Sequence, residues 1–402
     1  MTIADINLND LDAFVPAVPH DVFTRLRQQD PYWQKERGGP GFWNFTRYED
    51  VVLVNKDNIT FSSARRGALL HEMAEEDLAN QRMMMLNMDP PIHTRYRLLV
   101  NKGFTPRMVG QLEERTRVMT NVILDDALER GECDFVTDIA AELPLQVIAE
   151  LLGVPQADRH LVFDWSNRMV GSEDPEYSSS IEAAQTASME LFAYAHQLTE
   201  QKKADPHEDL LSVLTRVEVN GEKLNELEID LFFLLLAVAG NETTRNLMAH
   251  GMHALLENPD QYADLVADPG LIPGAVEEML RWGSPVMNFR RTVTRDTDIN
   301  GFPVKEGDKV VIWYISANRD ERIFKDPFRF DIRRNPNPHV AFGGGGPHFC
   351  LGANLARLEI RIMFEEILRR IPVIEQAGPV QRLRSNFING IKHLPVRFPA
   401  AG

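Results

Sequence analysis

Cysteine is scarce in this 402-residue chain, with Cys133 and Cys350 the only two. Two cysteines build no disulfide framework, and their isolation offers neither a zinc-site spacing nor a ferredoxin-like cluster. Long apolar runs are also missing. The strongest, LFFLLLAVAG at 231–240, falls well short of the ~20 residues that cross a bilayer as a helix. Basic charge is in deficit, with 43 Lys and Arg against 59 Asp and Glu and a net charge of -16. A nucleic-acid binder needs a basic face to displace counterions from phosphate, so that class is disfavoured. The opening MTIADINLND has no basic stretch leading into an apolar one, and no secretory signal is expected. No glycine-rich dinucleotide fingerprint follows a strand-like segment, and there is no repeat or low-complexity tract. What is left is a soluble, cytoplasmic, reduced enzyme of ordinary composition, 44% hydrophobic and 25% charged, large enough to enclose a bulky cofactor.

The chain reads as mainly α with small β-sheet regions, forming one domain across 1–402 with about the first 20 residues as an N-terminal extension. Strand character gathers in PGFWNFTRYEDVVLVNK near the start and in DTDINGFPVKEGDKVVIWYISANRD at 296–320. The second predicts a hairpin turning at Asn300-Gly301 and then a buried strand. Helices are expected over 226–256, in PGAVEEMLRW, after Cys350, and in MDPPIHTRYRLLVNKGF. The last opens with Asp89 as N-cap and Pro90 in the first turn. FKDPFRFDIRRNPNPH reads as irregular coil leading to the second cysteine.

That cysteine stands in HVAFGGGGPHFCLGANLAR, behind four consecutive glycines and ahead of a helix. Glycines let the backbone turn with positive φ and approach a flat object closely. Free N–H groups and the positive end of the following helix should favour thiolate at Cys350. A thiolate held this way is a nucleophile or a metal ligand. His348, two residues earlier, keeps both readings open.

Other constellations are weaker alone. In AGNETT, Ala239 and Thr243 are one turn apart, and Gly240 lets something large press on the helix. Thr243 can bond back to the carbonyl four residues earlier and bend the helix. Glu242 and Thr243 are either a buried acid and alcohol pair or polar residues past the end of a buried segment. Glu278 and Arg281 in EEMLR share a helical face and can pair, a common surface feature. His93 and Arg97 in HTRYR share another.

Together these stretches resemble the cytochrome P-450 family of haem-thiolate monooxygenases, with a match running from about residue 20 to the C-terminus. Phe342, Gly346, His348, Cys350 and Gly352 stand where that family's cysteine signature has its own residues. Phe342 lies eight residues before the cysteine, where most members have seven, so which glycine faces the sulfur stays open. The resemblance implies haem b between the long central helix and the helix after the cysteine loop, with Cys350 as axial ligand. It gives Thr243 and Glu242 the delivery of protons to bound dioxygen, with the acid linked to solvent. It puts Ala239 and Gly352 against the haem, and His93, Arg97, Arg291 and His348 on its propionates. Glu278, Arg281 and Arg334 would form a structural triad, Arg329 being the alternative third member.

The implied activity is insertion of one oxygen atom from dioxygen into an unactivated C–H bond, with electrons from a separate ferredoxin and its reductase. Arg357, Arg361, Lys102 and Arg107 would steer an acidic ferredoxin to the cysteine-loop face. DKVVIWYISANRD and FINGIKHLPV are most similar to the bacterial branch that hydroxylates methyl-branched lipids, sterol side chains and isoprenoids. Apolar RMMMLNM, FFLLLAVAG, SPVMNF and SNFINGIK are expected to line the substrate pocket. The alternatives are another hydrophobic or secondary-metabolite substrate, a peroxide-driven enzyme or a non-oxidative haem protein of the same fold, and a haem-free cysteine hydrolase. The acid and alcohol pair weighs against a peroxide-driven or non-oxidative haem protein.

Overall fold

A 32-residue helix, Glu226–Glu257, runs through the middle of the computed structural model, which describes residues 6–36, 38–170, 174–176 and 181–399. A capping box starts it. Asn225 Oδ1 accepts from the Glu228 amide and Glu228 Oε2 accepts from the Asn225 amide, each at 2.9 Å, which satisfies two of the donors a helix start leaves idle. Helices Glu142–Leu152, Arg159–Val170, Ile181–Ala204, Ile272–Gly283 and Ala353–Arg370 pack around it. Their apolar faces form the largest core, with Phe232, Phe233, Leu247, Met252, Leu280 and Phe364 among its members.

The β portion is small. A five-stranded sheet runs in the order Tyr32–Gln34, Phe42–Phe45, Lys309–Trp313, Asn288–Val293, Phe61–Ser62. Lys309–Trp313 is parallel to Phe42–Phe45 and antiparallel to Asn288–Val293. The hairpin appears as read, Thr297–Ile299 against Phe302–Val304, with positive φ at both Asn300 and Gly301, as a two-residue turn of this hand requires. Lys309–Trp313 follows it, buried throughout. The sequence reading did not foresee a three-stranded sheet made of Glu375–Gln376, Pro395–Arg397 and Glu132–Asp134.

Three expectations change. PGFWNFTRYEDVVLVNK is strand only over Phe42–Phe45, and Tyr48–Lys56 is helix. Val51 and Val54 bury one helical stripe there, so packing at i, i+3 overrides the β-branched composition. Asp89 is no N-cap, and the helix begins at Ile92. The Asp89 carboxylate accepts instead from the Ser63 amide at 2.8 Å and from the Ser62 hydroxyl. Nor do residues 6–18 hang free as an extension: Ile6, Leu8, Phe14 and Val18 are buried in a core with Phe23, Phe42 and Trp313. Among the described residues no helix is long and apolar enough to cross a membrane.

Candidate functional site

All four glycines of the cysteine loop have positive φ, Gly343 at 100°, Gly344 at 63°, Gly345 at 101° and Gly346 at 82°. A side chain at Gly346 would put its Cβ 2.2 Å from the Asn55 carbonyl oxygen, so only glycine fits that approach. The loop closes where the Cys350 amide donates to the Phe342 carbonyl at 3.0 Å. The extra residue is therefore taken up in the glycine run, and phenylalanine and cysteine stay joined through the backbone. Helix Ala353–Arg370 starts directly behind, with Gly352 as its N-cap.

The Cys350 thiol is accessible yet hemmed in by protein. Burial pushes it up, and a hydrogen bond from the Gly352 amide and the charges of Arg97 and Arg357 pull it down without winning. The loop alone thus does not produce the thiolate that the sequence reading expected. A metal cation at the sulfur would favour the deprotonated form. His348 gives Cys350 no base. Its ring lies against His93, with centroids 4.2 Å apart, and burial followed by Arg291 and His93 pushes it down to about 2.

Four basic side chains share this corner. His93 is 1% exposed, with neither ring nitrogen hydrogen-bonded, and burial and Arg97 push it down to about 4. His348 Nε2 also lacks a partner. Arg97 donates to the Phe349 carbonyl. Arg291 is buried, donates to the Arg290 carbonyl at 2.7 Å, and is lowered by burial. Asp89 is the carboxylate that acts on His93 and, less strongly than Tyr314, on Arg291, and Ser62 and Ser63 already occupy it. Idle donors on like-charged groups beside an accessible thiol suit a ligand that brings its own carboxylates and a metal, as a haem does.

The long helix carries the next set of residues. Ala239 is exposed although most residues on either side are buried, and Thr243 Oγ1 donates to the Ala239 carbonyl at 2.7 Å, the back-bond the sequence reading foresaw. Gly240 has a different use. A Cβ there would lie 2.5 Å from Ile148 Cδ1, so the large neighbour that presses on it is the Glu142–Leu152 helix. Glu242 is buried, as one of the two readings had it, but the expected link to solvent is not there. It is 2% exposed and pairs with Arg245, whose Nη1 donates to Asn167 Oδ1 at 3.0 Å. Burial pushes its carboxyl up against the pull of Arg245. The acid is tied towards Arg159–Val170 and is closed to solvent. Arg245 and Asn167 were missed, although Arg245 stands three residues after Glu242 in NETTRN and could have been read as its partner.

Glu278 and Arg281 are both fully buried and paired through two bonds of 2.7 and 2.8 Å. Arg334 Nε reaches Glu278 Oε2 at 3.1 Å. Arg329 contributes only its carbonyl, to both arginines. Asn337 Nδ2 at 3.1 Å and the Asp331 amide at 2.8 Å complete the shell around Glu278.

The basic residues behind the cysteine are less free than expected. Arg357 binds Glu277 at 2.6 and 2.9 Å, and Arg361 binds Glu113 at 2.9 Å and Glu365 at 2.8 Å. Lys102 and Arg107 are exposed. Two of the segments expected to line a substrate pocket, SPVMNF and SNFINGIK, meet each other. Val286 bridges Ile388, and the Met287 amide donates to the Phe387 carbonyl at 2.8 Å.

Residues 270–393 match the family described as Cytochrome P450. The chain is 43% identical over 405 residues, 98% of its length and 85% of the relative's, to a steroid C26-monooxygenase of Rhodococcus jostii. It is 42% identical over 407 residues, 98% and 95%, to a methyl-branched lipid omega-hydroxylase of Mycobacterium bovis. Among solved structures, a Mycobacterium marinum cytochrome P450 in complex with pseudoionone superposes with a TM-score of 0.88 at 39% identity, covering 94% of each chain. The chain belongs to the cytochrome P450 family of monooxygenases.

Proposed function

We propose that this protein is a cytoplasmic haem-thiolate hydroxylase, one domain with Cys350 as axial ligand, acting at or near the end of an aliphatic chain on a methyl-branched lipid, steroid or terpenoid. The observation that carries the reading is the accessible Cys350 sulfur beside His93, Arg97, Arg291 and His348, whose idle ring nitrogens call for an anionic cofactor edge. Bound there, haem supplies reductive activation of dioxygen, and thiolate ligation favours O–O cleavage. The chain's own residues do the remaining work. The Gly352 amide and Arg97 stabilise negative charge at the sulfur. Ala239, exposed on its helix, and Gly352, with open space around it, would leave room for a haem. The Thr243 hydroxyl stands on the exposed side of the long helix, bonded to the Ala239 carbonyl. From there it can turn its proton towards a ligand and accept another from solvent. Glu242 serves as the reserve acid, and it must leave Arg245 to reach that solvent.

The substrate class rests on the two relatives, one named for steroids and one for methyl-branched lipids, and on the apolar walls. Electrons would come from a ferredoxin and its reductase. A groove lined by Val109, Pro273, Val276, Leu358, Arg357 and Arg361 behind the cysteine loop suits that docking, and Lys102 and Arg107 are exposed elsewhere on the chain.

The test is an optical titration of the purified ferric protein with a methyl-branched fatty acid, a sterol ketone and a terpenoid alcohol. A haem-thiolate spectrum that moves from low to high spin with one of them supports both cofactor and substrate class. A haem spectrum indifferent to all three discards the substrate class, and a protein without a haem band discards the cofactor.

A further inference from the structure

A second group of basic side chains, with buried spare nitrogens, lies where helix His20–Arg27, the segment after Tyr314–Ala317, the end of helix Ile272–Gly283 and strand Gln381–Arg382 come together. Arg319 is 3% exposed. Its Nη2 donates to the Trp282 carbonyl at 2.8 Å, and its guanidinium lies over the Trp282 ring, 4.6 Å from the centroid. Its Nε and Nη1 have no hydrogen-bond partner. The next carbonyl along, that of Gly283, accepts from Asn389 Nδ2, and Asn389 Oδ1 accepts from Arg382 Nη2. Consecutive carbonyls at one helix end therefore tether two guanidiniums, one directly and one through an amide. Arg382 Nε is idle as well, and so is Nδ1 of His20, whose ring packs edge-on to Phe328. Among the charges around His20, Arg319 acts most strongly and Arg382 next.

Counter-charge is missing. Among the described residues no carboxylate forms an ion pair with Arg319 or Arg382. The acid that acts most strongly on Arg319 is Glu278, already enclosed by Arg281, Arg334, Asn337 and the Asp331 amide. Of the other nearby cations, Arg281 is matched by Glu278 at 2.7 Å and Arg27 by Glu321 at 2.9 Å. Burial and neighbouring positive charge push both Arg319 and His20 far down. Uncompensated buried charge is expensive, and the chain as a whole is acidic, at -16, so these cations are not the remainder of a general basic surplus. Buried guanidiniums with spare donors and no carboxylate are the donor set of an anion site.

We propose that Arg319, Arg382 and His20 bind a small inorganic anion, of chloride or phosphate type, which neutralises the junction between the N-terminal helix and the C-terminal hairpin. The anion fixes the Gln381–Arg382 strand, and with it the Phe387–Asn389 segment that meets Pro285 and Met287. None of the three residues touches the cysteine-loop site, so the inference stands independently of the cofactor and substrate assigned above.

Thermal unfolding of the haem-loaded protein in potassium bromide, potassium phosphate or potassium gluconate at matched ionic strength tests it. The expected result is a saturable rise in Tm of about 3 °C with bromide or phosphate over gluconate, and which of the two produces it sets the ligand's shape. Arg382→Gln should remove the rise. If that variant does not fold, His20→Ala should reduce it. Crystals soaked in bromide should show an anomalous peak between the two guanidiniums. Equal Tm in all three salts overturns the proposal, as does a rise undiminished in the variants. A bromide peak with no saturable Tm shift means binding at crystal concentration only and overturns it too.

Discussion

The imidazole rings of His93 and His348 lie 4.2 Å apart, one from the Ile92–Val100 helix and the other from the cysteine loop. Both are depressed towards the neutral form, because the chain brings basic groups together there without supplying the acid. The cofactor's carboxylates would turn this repulsion into attraction. His93→Ala should therefore weaken haem binding by about 10–100-fold, the loss of one charge-assisted hydrogen bond. Transfer of haem to an apo-globin acceptor measures it. An unchanged transfer rate would remove His93 from the cofactor site.

Thr243 offers a test separate from cofactor retention. Its hydroxyl already has an acceptor in the Ala239 carbonyl, so Thr243→Ala frees a helical carbonyl and leaves the haem wall intact. The expected outcome is a normal haem-thiolate spectrum with product per electron pair reduced about tenfold or more. Thr243→Ser should restore most of the coupling. Coupling that survived in the alanine variant would sink the proton-delivery role.

How much of this was readable in the chain depended on the distance over which each interaction acts. The Asn300-Gly301 turn, the Glu278–Arg281 pair and the Thr243 back-bond span a few residues, and spacing alone determines them. Tyr48–Lys56 went unread because its two buried valines meet a core built by residues 289–314. The fate of Arg357 and Arg361 depends on Glu277 and Glu113, carboxylates brought in by other helices, and no local pattern shows them. Gly240 was read only as room for something large against the helix, because the sequence cannot tell which partner will press on a small residue. The closure of Glu242 was half legible. Arg245 stands at i+3 in the sequence, whereas the burial that makes the pair matter comes from packing against Arg159–Val170.

Arg334 Nε binds Glu278, and its Nη1 also holds the Lys325 carbonyl at 2.6 Å, so it ties the coil before the cysteine loop to the Ile272–Gly283 helix. Glu278→Gln leaves two buried guanidiniums without their anion. The expected cost is about 3–5 kcal/mol, the price of stranding buried charge, seen as low yield and a lowered Tm. Arg334→Lys keeps the charge but loses the fork, and should cost less than Glu278→Gln. A Glu278→Gln protein with the parent's Tm would show that the triad does not hold the coil.

Glu277 points to a different set of partners from its neighbour, Arg357 and His339. Burial raises its carboxyl, but the Arg357 and His339 bonds outweigh burial and hold it at about 2 against an ordinary 4.5. A carboxylate depressed on folding adds stability that is fully present above about pH 4.5 and is lost as pH falls through about 2. Its side chain is 33% exposed. With solvent screening discounted, the contribution at neutral pH is about 2 kcal/mol. Glu277→Gln should therefore be less stable than the parent at pH 6, and the gap should close between pH 4.5 and 2. Denaturant unfolding of both proteins at pH 6, 4 and 2.5 gives the gap directly. A difference that stays constant across those three values would mean that glutamine disturbs packing at this position and that the Arg357 ion pair adds nothing to folding.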